Sequence, residues 1–326
     1  LYASYCSDKM PLWTLGFGLA LYDLFSFHWG HKRYDPSGMA RLAPELSQSG
    51  MRGGYRYWDA QTDDARLVLR VIQEGVAAGG VALNYAQVDG LLRRADGFVC
   101  GVNVKDKAGE SQARTAEVEA KIVVNATGAD ADRLRSQIDM GARLRRLRGS
   151  HIIFPASIFP MKRAVCFSHP ADGRPVFALP WEGVTLFGTT DIDEKNEAPV
   201  EPRISKAELD YLMAAVTYAF PILELKETDV QATISGLRSV VDTGKENPSK
   251  ESREHVAWSE SGLLTVTGGK LTTFRMMALD ALRSLGIHPT RNRRIRHLPV
   301  LDPVELPLES CGLEYKLRQR LSGRYG

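Results

Sequence analysis

Apolar and polar positions along the chain switch between a helical and a strand-like period. From Asp63 and Asp64 onward, Leu67, Val68, Val71, Ile72, Val76 and Ala77 recur at helical spacing, and Gly79 and Gly80 close the run. This predicts an amphipathic helix. The apolar run Val81 to Leu83 reads as a short strand directly after it, and Gly97 to Val104 alternates around a turn at 107–112 as a small meander does. Ile122-Val123-Val124-Asn125-Ala126-Thr127-Gly128 reads as a buried strand running into a glycine. Between Arg146 and Thr190 the period falls to two, with strands at Ser150–Phe154, Ala164–Phe167, Val176–Leu179 and Val184–Phe187 separated by glycine and proline. A helix follows over Ser205–Ala219, with Ser205 as its N-cap and Glu208 at the capping-box offset. Strands at Val230–Ile234 and Leu263–Val266 and a helix at Leu271–Leu285 complete the pattern. Mixed content of this kind predicts an α/β half with a second, antiparallel-rich half.

Composition narrows the class of protein. The 326 residues are 44% hydrophobic and 25% charged, which excludes disorder and a pure coiled coil and suits one large or two ordinary domains. A net charge of +3 is too small for a general binder of nucleic acid. The surplus is uneven, because residues 291–326 carry eight basic and four acidic side chains. That tail reads as a linker plus a basic amphipathic helix. Four scattered cysteines, Cys6, Cys100, Cys166 and Cys311, indicate neither a disulfide framework nor a zinc site and fit a reducing compartment. The one long apolar run, Pro11 to Phe25, is shorter than the ~20 residues of a membrane span and contains Asp23. It predicts a buried or interfacial helix. The first residue is Leu1 and the last, Gly326, falls in a charged, helix-compatible stretch, so the expectation is a piece of something longer.

Several residues carry candidate chemistry. In Thr265-Val266-Thr267-Gly268-Gly269-Lys270-Leu271-Thr272, a strand runs into two glycines and then a helix. Such a turn brings backbone N–H groups close to a flat or anionic ligand, and Lys270 adds positive charge. It is not a P-loop, since Leu271 follows Lys270, and Gly16-Phe17-Gly18 fails as a dinucleotide fingerprint because Leu21 fills its last glycine place. Arg238 and Arg253, fifteen residues apart, are either solvated side chains or a pair of forks for a phosphate monoester. His151 is either a structural histidine or a group that exchanges a proton beside a ligand. Thr190 and Asp191 end a strand, and turn chemistry alone accounts for Asp191. His28 and His31 have no third ligand nearby in sequence, so no metal is expected.

Six segments in one order bear a resemblance: YWDAQTDDARLVL from Tyr57, VVNATGADAD from Val123, RGSHIIFP from Arg148, FALPWEGVTLFGTTDID from Phe177, SGLRSVVD from Ser235 and VTGGKLTTFRMMA from Val266. Together, from about residue 10 to about residue 300, the chain resembles the FAD-dependent, quinone-linked glycerol-3-phosphate dehydrogenases of the glycine/D-amino-acid oxidase superfamily. The resemblance implies a partial FAD-binding, Rossmann-like domain plus a mixed, largely antiparallel substrate domain. Residues 1–60 and 141–260 would form the substrate part, 61–140 and 261–290 the FAD part, and 291–326 the start of a basic helical region. It implies that Asn125, Ala126, Thr127 and Gly128, with Gly268, Gly269, Lys270, Leu271 and Thr272, line the FAD site, and that Val88 stands near the adenine end. It places His151, Thr190, Asp191, Arg238, Arg253 and Lys270 toward substrate and flavin ring; a base must take the 2-hydroxyl proton, and His151 is the candidate.

The implied reaction takes sn-glycerol 3-phosphate to dihydroxyacetone phosphate, hydride passing from C2 to flavin N5 and electrons onward to quinone, with Lys270 stabilising the reduced flavin. A cytoplasmic protein with peripheral contact to the cytoplasmic membrane, as a homodimer, is compatible with this resemblance, and nucleic acid has no part in it. Members also begin with a strand, a GxGxxG turn and a helix that hold the FAD pyrophosphate, and no such turn occurs in these 326 residues. A site without that cradle binds FAD weakly unless the missing part is supplied. Two alternatives stay open: an oxidase that uses oxygen as acceptor, and an inactive fragment or interaction module unable to hold FAD.

Overall fold

The computed structural model describes residues 1–27, 29–109, 114–194, 201–245, 251–252, 254–288, 299–301, 303 and 312–325. The chain forms two compact units, the first from Leu1–Ala60 and Leu144–Ser252, the second from Gln61–Arg143 and Arg253–Gly326. Each unit is therefore assembled from two separate stretches of chain.

In chain order the first unit opens with β1 (Tyr2–Tyr5), α1 (Leu12–Ser26), β2 (Lys32–Tyr34), α2 (Pro36–Leu42) and β3 (Met51–Arg56). The second unit follows with α3 (Asp64–Ala77), β4 (Ala86–Arg93), β5 (Val99–Asp106), β6 (Thr115–Glu119), β7 (Val123–Asn125) and α4 (Ala131–Arg135). The chain returns to the first unit for β8 (Leu144–Pro155), β9 (Val165–Ser168), β10 (Pro175–Trp181), β11 (Val184–Gly188), β12 (Ile192–Asp193), α5 (Lys206–Ala219) and β13 (Ala232–Val241). It ends in the second with β14 (His255–Glu260), β15 (Leu263–Gly268), α6 (Phe274–Ser284) and α7 (Tyr315–Tyr325).

Among the described residues the first unit holds a nine-stranded sheet in the order β12-β8-β11-β10-β9-β1-β3-β2, with β13 also paired to β8. All its pairings are antiparallel except β1 with β9. One face is sealed by α5, whose Leu212, Ala215, Val216 and Ala219 pack with Phe154, Phe159, Phe187 and Phe220. Phe159 and Phe220 meet edge to face at 4.7 Å, the arrangement that ring quadrupoles favour. Alternation along β8 then sorts its side chains. Ser150, Ile152 and Phe154 are buried toward α5, whereas His151 is only half-buried, on the opposite face.

Among the described residues the second unit has two three-stranded sheets, β4-β5-β6 and β14-β15-β7. In the latter, β15 and β7 run parallel, with Thr265 beside Asn125, so both strands deliver their carboxyl ends to the same edge. α3 forms where the periodicity predicts it, its N-terminus capped by Asp63, whose carboxylate accepts the Arg66 N–H at 3.1 Å. Its apolar stripe, including Val68, Ile72 and Val76, is exposed.

Three expectations need correction. Val81–Leu83 is not a strand but an exposed connection, and pairing begins only at Ala86, where β5 offers a partner. The strand expected at Val230–Ile234 is instead β13, which continues to Val241 and puts Arg238 inside the sheet. Gly236 and Ser239 have low strand propensity, but the ten-residue ladder to β8 overrides it. The Pro11–Phe25 stretch is a helix, yet within α1 only Leu19 and Asp23 are buried. A helix apolar all round has no periodicity from which to read a buried face. Asp23 is accommodated by the N–H groups of Gly30 and His31 and by the His31 ring at 2.7 Å. No helix among the described residues is long and apolar enough to cross a membrane.

Candidate active site

In the first unit the register of β8 with β13 and β11 brings two of the predicted residues, His151 and Arg238, to one face. Gly149 faces Gly236, His151 faces Ile234 on one side and Gly188 on the other, and Arg238 stands opposite Leu147. Directly opposed residues share a face, so His151, Gly149, Gly236 and Arg238 lie on one surface of the sheet. The two opposed glycines put no side chain between the histidine and the arginine. A Cβ at Gly236 would meet nothing within 4 Å, which leaves open space there.

Glycines also seat the two candidate side chains. The guanidinium of Arg238 lies against Gly149, where an added Cβ would come 2.7 Å from Cζ, and the His151 ring lies against Gly188, where a Cβ would come 2.5 Å from Cδ2. Neither glycine was legible as functional, because the clash each avoids is with a residue two or more strand positions or a whole strand away. Gly149→Ala is expected to push the flexible Arg238 fork aside with little loss of fold. Affinity for a phosphate-bearing ligand at this face should fall by about tenfold, the weight of one charge-assisted hydrogen bond, and unchanged binding by calorimetric titration would refute the seating.

Arg238 donates from Nη1 to Asp191 Oδ1 at 2.9 Å and from Nη2 to Thr189 Oγ1 at 3.1 Å. Asp191 is buried, and its carbonyl oxygen accepts from Arg174 Nη1 at 3.2 Å. This orients the arginine fork while 37% of its side chain stays exposed, enough to meet a ligand. Thr190 is fully buried and its hydroxyl turns away from that surface. Burial, and then the neighbouring Arg238 charge, lower the His151 pKa from its usual 6.5, so the imidazole is neutral at physiological pH. A neutral imidazole beside an anchored guanidinium can accept a proton from a bound anion's hydroxyl.

In the second unit the predicted cofactor residues gather at the shared carboxyl edge of β7 and β15. Asn125 is buried, and its side chain shapes the turn after β7. Nδ2 donates to Ala131 O at 2.9 Å and to Thr265 Oγ1 at 3.3 Å, while Oδ1 accepts from Thr127 Oγ1 at 2.7 Å and from Thr127 N at 3.3 Å. Ala126 and Thr127 are thereby held exposed, and Gly128, at φ +60°, has nothing within 4 Å of a would-be Cβ. Gly268 and Gly269, at φ +74° and +77°, turn the chain after β15. A Cβ on them would meet Glu254 O at 2.7 Å and Met277 Sδ at 2.6 Å, so only glycine makes this turn. Lys270, Leu271 and Thr272 follow, exposed, at the head of α6. Behind them His255 Nε2 contacts Asp280 at 2.9 Å, and that hydrogen bond holds the Asp280 carboxyl below its usual range.

Two glycine-bearing turns at the carboxyl ends of adjacent parallel strands are where open α/β sheets bind nucleotides, and the open space beside Gly128 leaves room for a ligand such as part of FAD. Val88 stands on β4, in the other sheet, where its carbonyl accepts from Arg133 Nη2 at 3.3 Å. Arg253, His28, residues 110–112 of the turn expected at 107–112, and Arg291, Arg293, Arg294 and Arg296 lie outside the described residues.

Known proteins resemble the chain in sequence and in fold. A profile described as "FAD dependent oxidoreductase" matches residues 16–275, most of the chain. The chain belongs to the FAD-dependent oxidoreductase family. Among its relatives, the aerobic glycerol-3-phosphate dehydrogenase of Bacillus subtilis is 38% identical over 274 residues, 81% of this chain and 48% of that protein. The enzyme of the same name from Staphylococcus epidermidis is 36% identical, with the same coverage. The structure of glycerol-3-phosphate dehydrogenase from Bacillus halodurans complexed with FAD matches this chain with a TM-score of 0.70 and 35% identity, over 79% of this chain and 50% of that one. The chain thus spans about half the length of the relatives it matches. Its mixed α/β architecture is that of the family.

Proposed function

We propose that the full-length protein oxidises sn-glycerol 3-phosphate at C2 to dihydroxyacetone phosphate with FAD as cofactor and quinone as electron acceptor. The observation that carries this reading is the anchored Arg238 fork set on the same sheet face as a neutral His151, with only glycine between them. Arg238 matches the phosphate of a small phosphorylated alcohol, as a planar guanidinium does. His151 takes the proton of the C2 hydroxyl, and its lowered pKa keeps it in the accepting form. Holding the substrate by its phosphate fixes the hydroxyl against that base, so most of the acceleration comes from positioning. Asn125–Gly128 and Gly268–Thr272 hold part of the cofactor, with Lys270 adding a positive charge at that edge. FAD bound there supplies the two-electron acceptor for the C2–H electron pair.

The test is anaerobic titration of the purified full-length protein. The flavin absorption band should bleach with sn-glycerol 3-phosphate and not with glycerol. Recovery with a soluble quinone, and not with dissolved oxygen, supports the quinone-linked reaction, whereas fast recovery with oxygen assigns an oxidase. A colourless protein that FAD does not stabilise, or a band that glycerol 3-phosphate leaves unchanged, overturns the proposal.

A further inference from the structure

We propose that Glu208 is a positioning residue for this reaction. From the first turn of α5 it holds, through Ser150 and Thr190, the two backbone segments that present His151 and the Asp191–Arg238 pair. The inference rests on the function proposed above and deepens it.

Glu208 is 2% exposed, and its two oxygens have different duties. Oε2 completes the helix cap, accepting from the Ser205 N–H at 2.9 Å and the Ser205 hydroxyl at 2.8 Å, and it also receives Arg148 Nη2 at 3.0 Å. A capping box needs no more than this. Oε1 instead accepts from Thr190 Oγ1 at 2.7 Å and from Ser150 Oγ at 2.9 Å, on two segments far from α5 in sequence. Thr190 Oγ1 in turn accepts the Ser150 N–H at 2.9 Å, closing a ring of three residues. Ser150 Oγ also meets Ser235 Oγ at 2.9 Å, which extends the ring to β13, three residues before Arg238.

Ser150 and Thr190 each sit next to a residue of the site. Ser150 precedes His151 in β8, and alternation turns one side chain to α5 and the other to the site. Thr190 lies between Thr189 and Asp191, the two acceptors of the Arg238 fork. An ionised carboxylate only accepts, so both hydroxyls must donate to it and their orientations are set. Burial works against the charge, but the hydrogen bonds from Ser205, Thr190 and Ser150 outweigh it and hold the Glu208 carboxyl below its usual range.

The test compares Glu208→Gln, Thr190→Val and their combination with Ser205→Ala in the full-length, FAD-loaded protein. Ser205→Ala removes the cap hydroxyl and leaves the Ser150–Thr190 ring alone. Glu208→Gln should lower kcat/KM for glycerol 3-phosphate by about tenfold or more at unchanged FAD content, and adding Thr190→Val should cost no more than about a further twofold, as expected of groups acting in one network. Ser205→Ala should lower Tm while kcat/KM stays within about twofold. A drop in Tm for Glu208→Gln with kcat/KM unchanged, or losses that multiply, overturns the positioning role. A second readout needs no turnover: the Nη–H resonances of Arg238, assigned by their loss in Arg238→Lys, sharpen when fixed partners slow guanidinium rotation. If the wild type fails to oxidise glycerol 3-phosphate yet these resonances are sharp in it and broadened in Glu208→Gln, the functional reading fails and the positioning stands. Resonances equally sharp or equally absent in both proteins overturn the positioning.

Discussion

Full-length protein carrying His151→Asn is expected to lose about 10²- to 10⁴-fold in kcat, the usual weight of a general base, with KM for glycerol 3-phosphate changed little. Asparagine keeps a polar group at the position and cannot accept the proton. The wild-type pH profile supplies an independent check. Burial and the Arg238 charge lower the His151 pKa, so the base is neutral throughout the physiological range, and kcat/KM should fall only as the pH drops below 6.5. The acid limb should be absent from the residual activity of the variant. Stability follows the same linkage. Between the lowered folded pKa and 6.5 the unfolded chain binds a proton that the folded chain does not, so this group makes the fold less stable as pH falls through that window. A variant with wild-type kcat, or a profile whose acid limb lies above 6.5, would remove His151 from the mechanism.

The second large effect concerns Arg238. Arg238→Ala should raise KM for glycerol 3-phosphate by about 10- to 100-fold, since hydrogen bonds to charged groups contribute about 1.5–3 kcal/mol. FAD content should stay at the wild-type level, because the residues proposed to hold the cofactor belong to the other compact unit. Arg238→Lys restores the charge and loses the planar fork, so it should recover only part of the affinity. Equal KM in the wild type and Arg238→Ala would show that the phosphate binds elsewhere. Asp191 loses its hydrogen bond from Arg238 in the alanine variant, and a measurable fall in Tm should accompany the KM change, less so in the lysine variant.

Legibility in the sequence followed the reach of the forces involved. The strands read at Ser150–Phe154 and Val184–Phe187 correspond to parts of β8 and β11, where alternation of apolar residues and flanking turn residues is a local signal. The Ser205–Glu208 capping box was equally local, and both of its bonds form. By contrast β3 contains Gly53 and Gly54, and nothing in its composition marks a strand. It is a strand because β1 and β2 flank it, and Gly54 is glycine because a side chain there would strike Tyr2 O. β13 likewise runs through a Ser-Gly pair that reads as a turn, since the long β8 ladder supplies its partners.

Motif order and residue chemistry, both properties of short stretches, were enough by themselves to determine the mixed α/β class, the membership of the oxidoreductase family, and the identity of His151, Asp191, Arg238 and the two glycine-ended strands as candidates. The folded chain alone decided how they combine. Strand register put His151, Gly149, Gly236 and Arg238 on one face, and parallel pairing brought Asn125 beside Thr265. The same folding turned Glu208 from a helix cap into the link behind the site. Register and pairing depend on contacts between residues tens to more than a hundred positions apart, whose free energy appears only when both partners are in place, and a linear reading contains no measure of that distance.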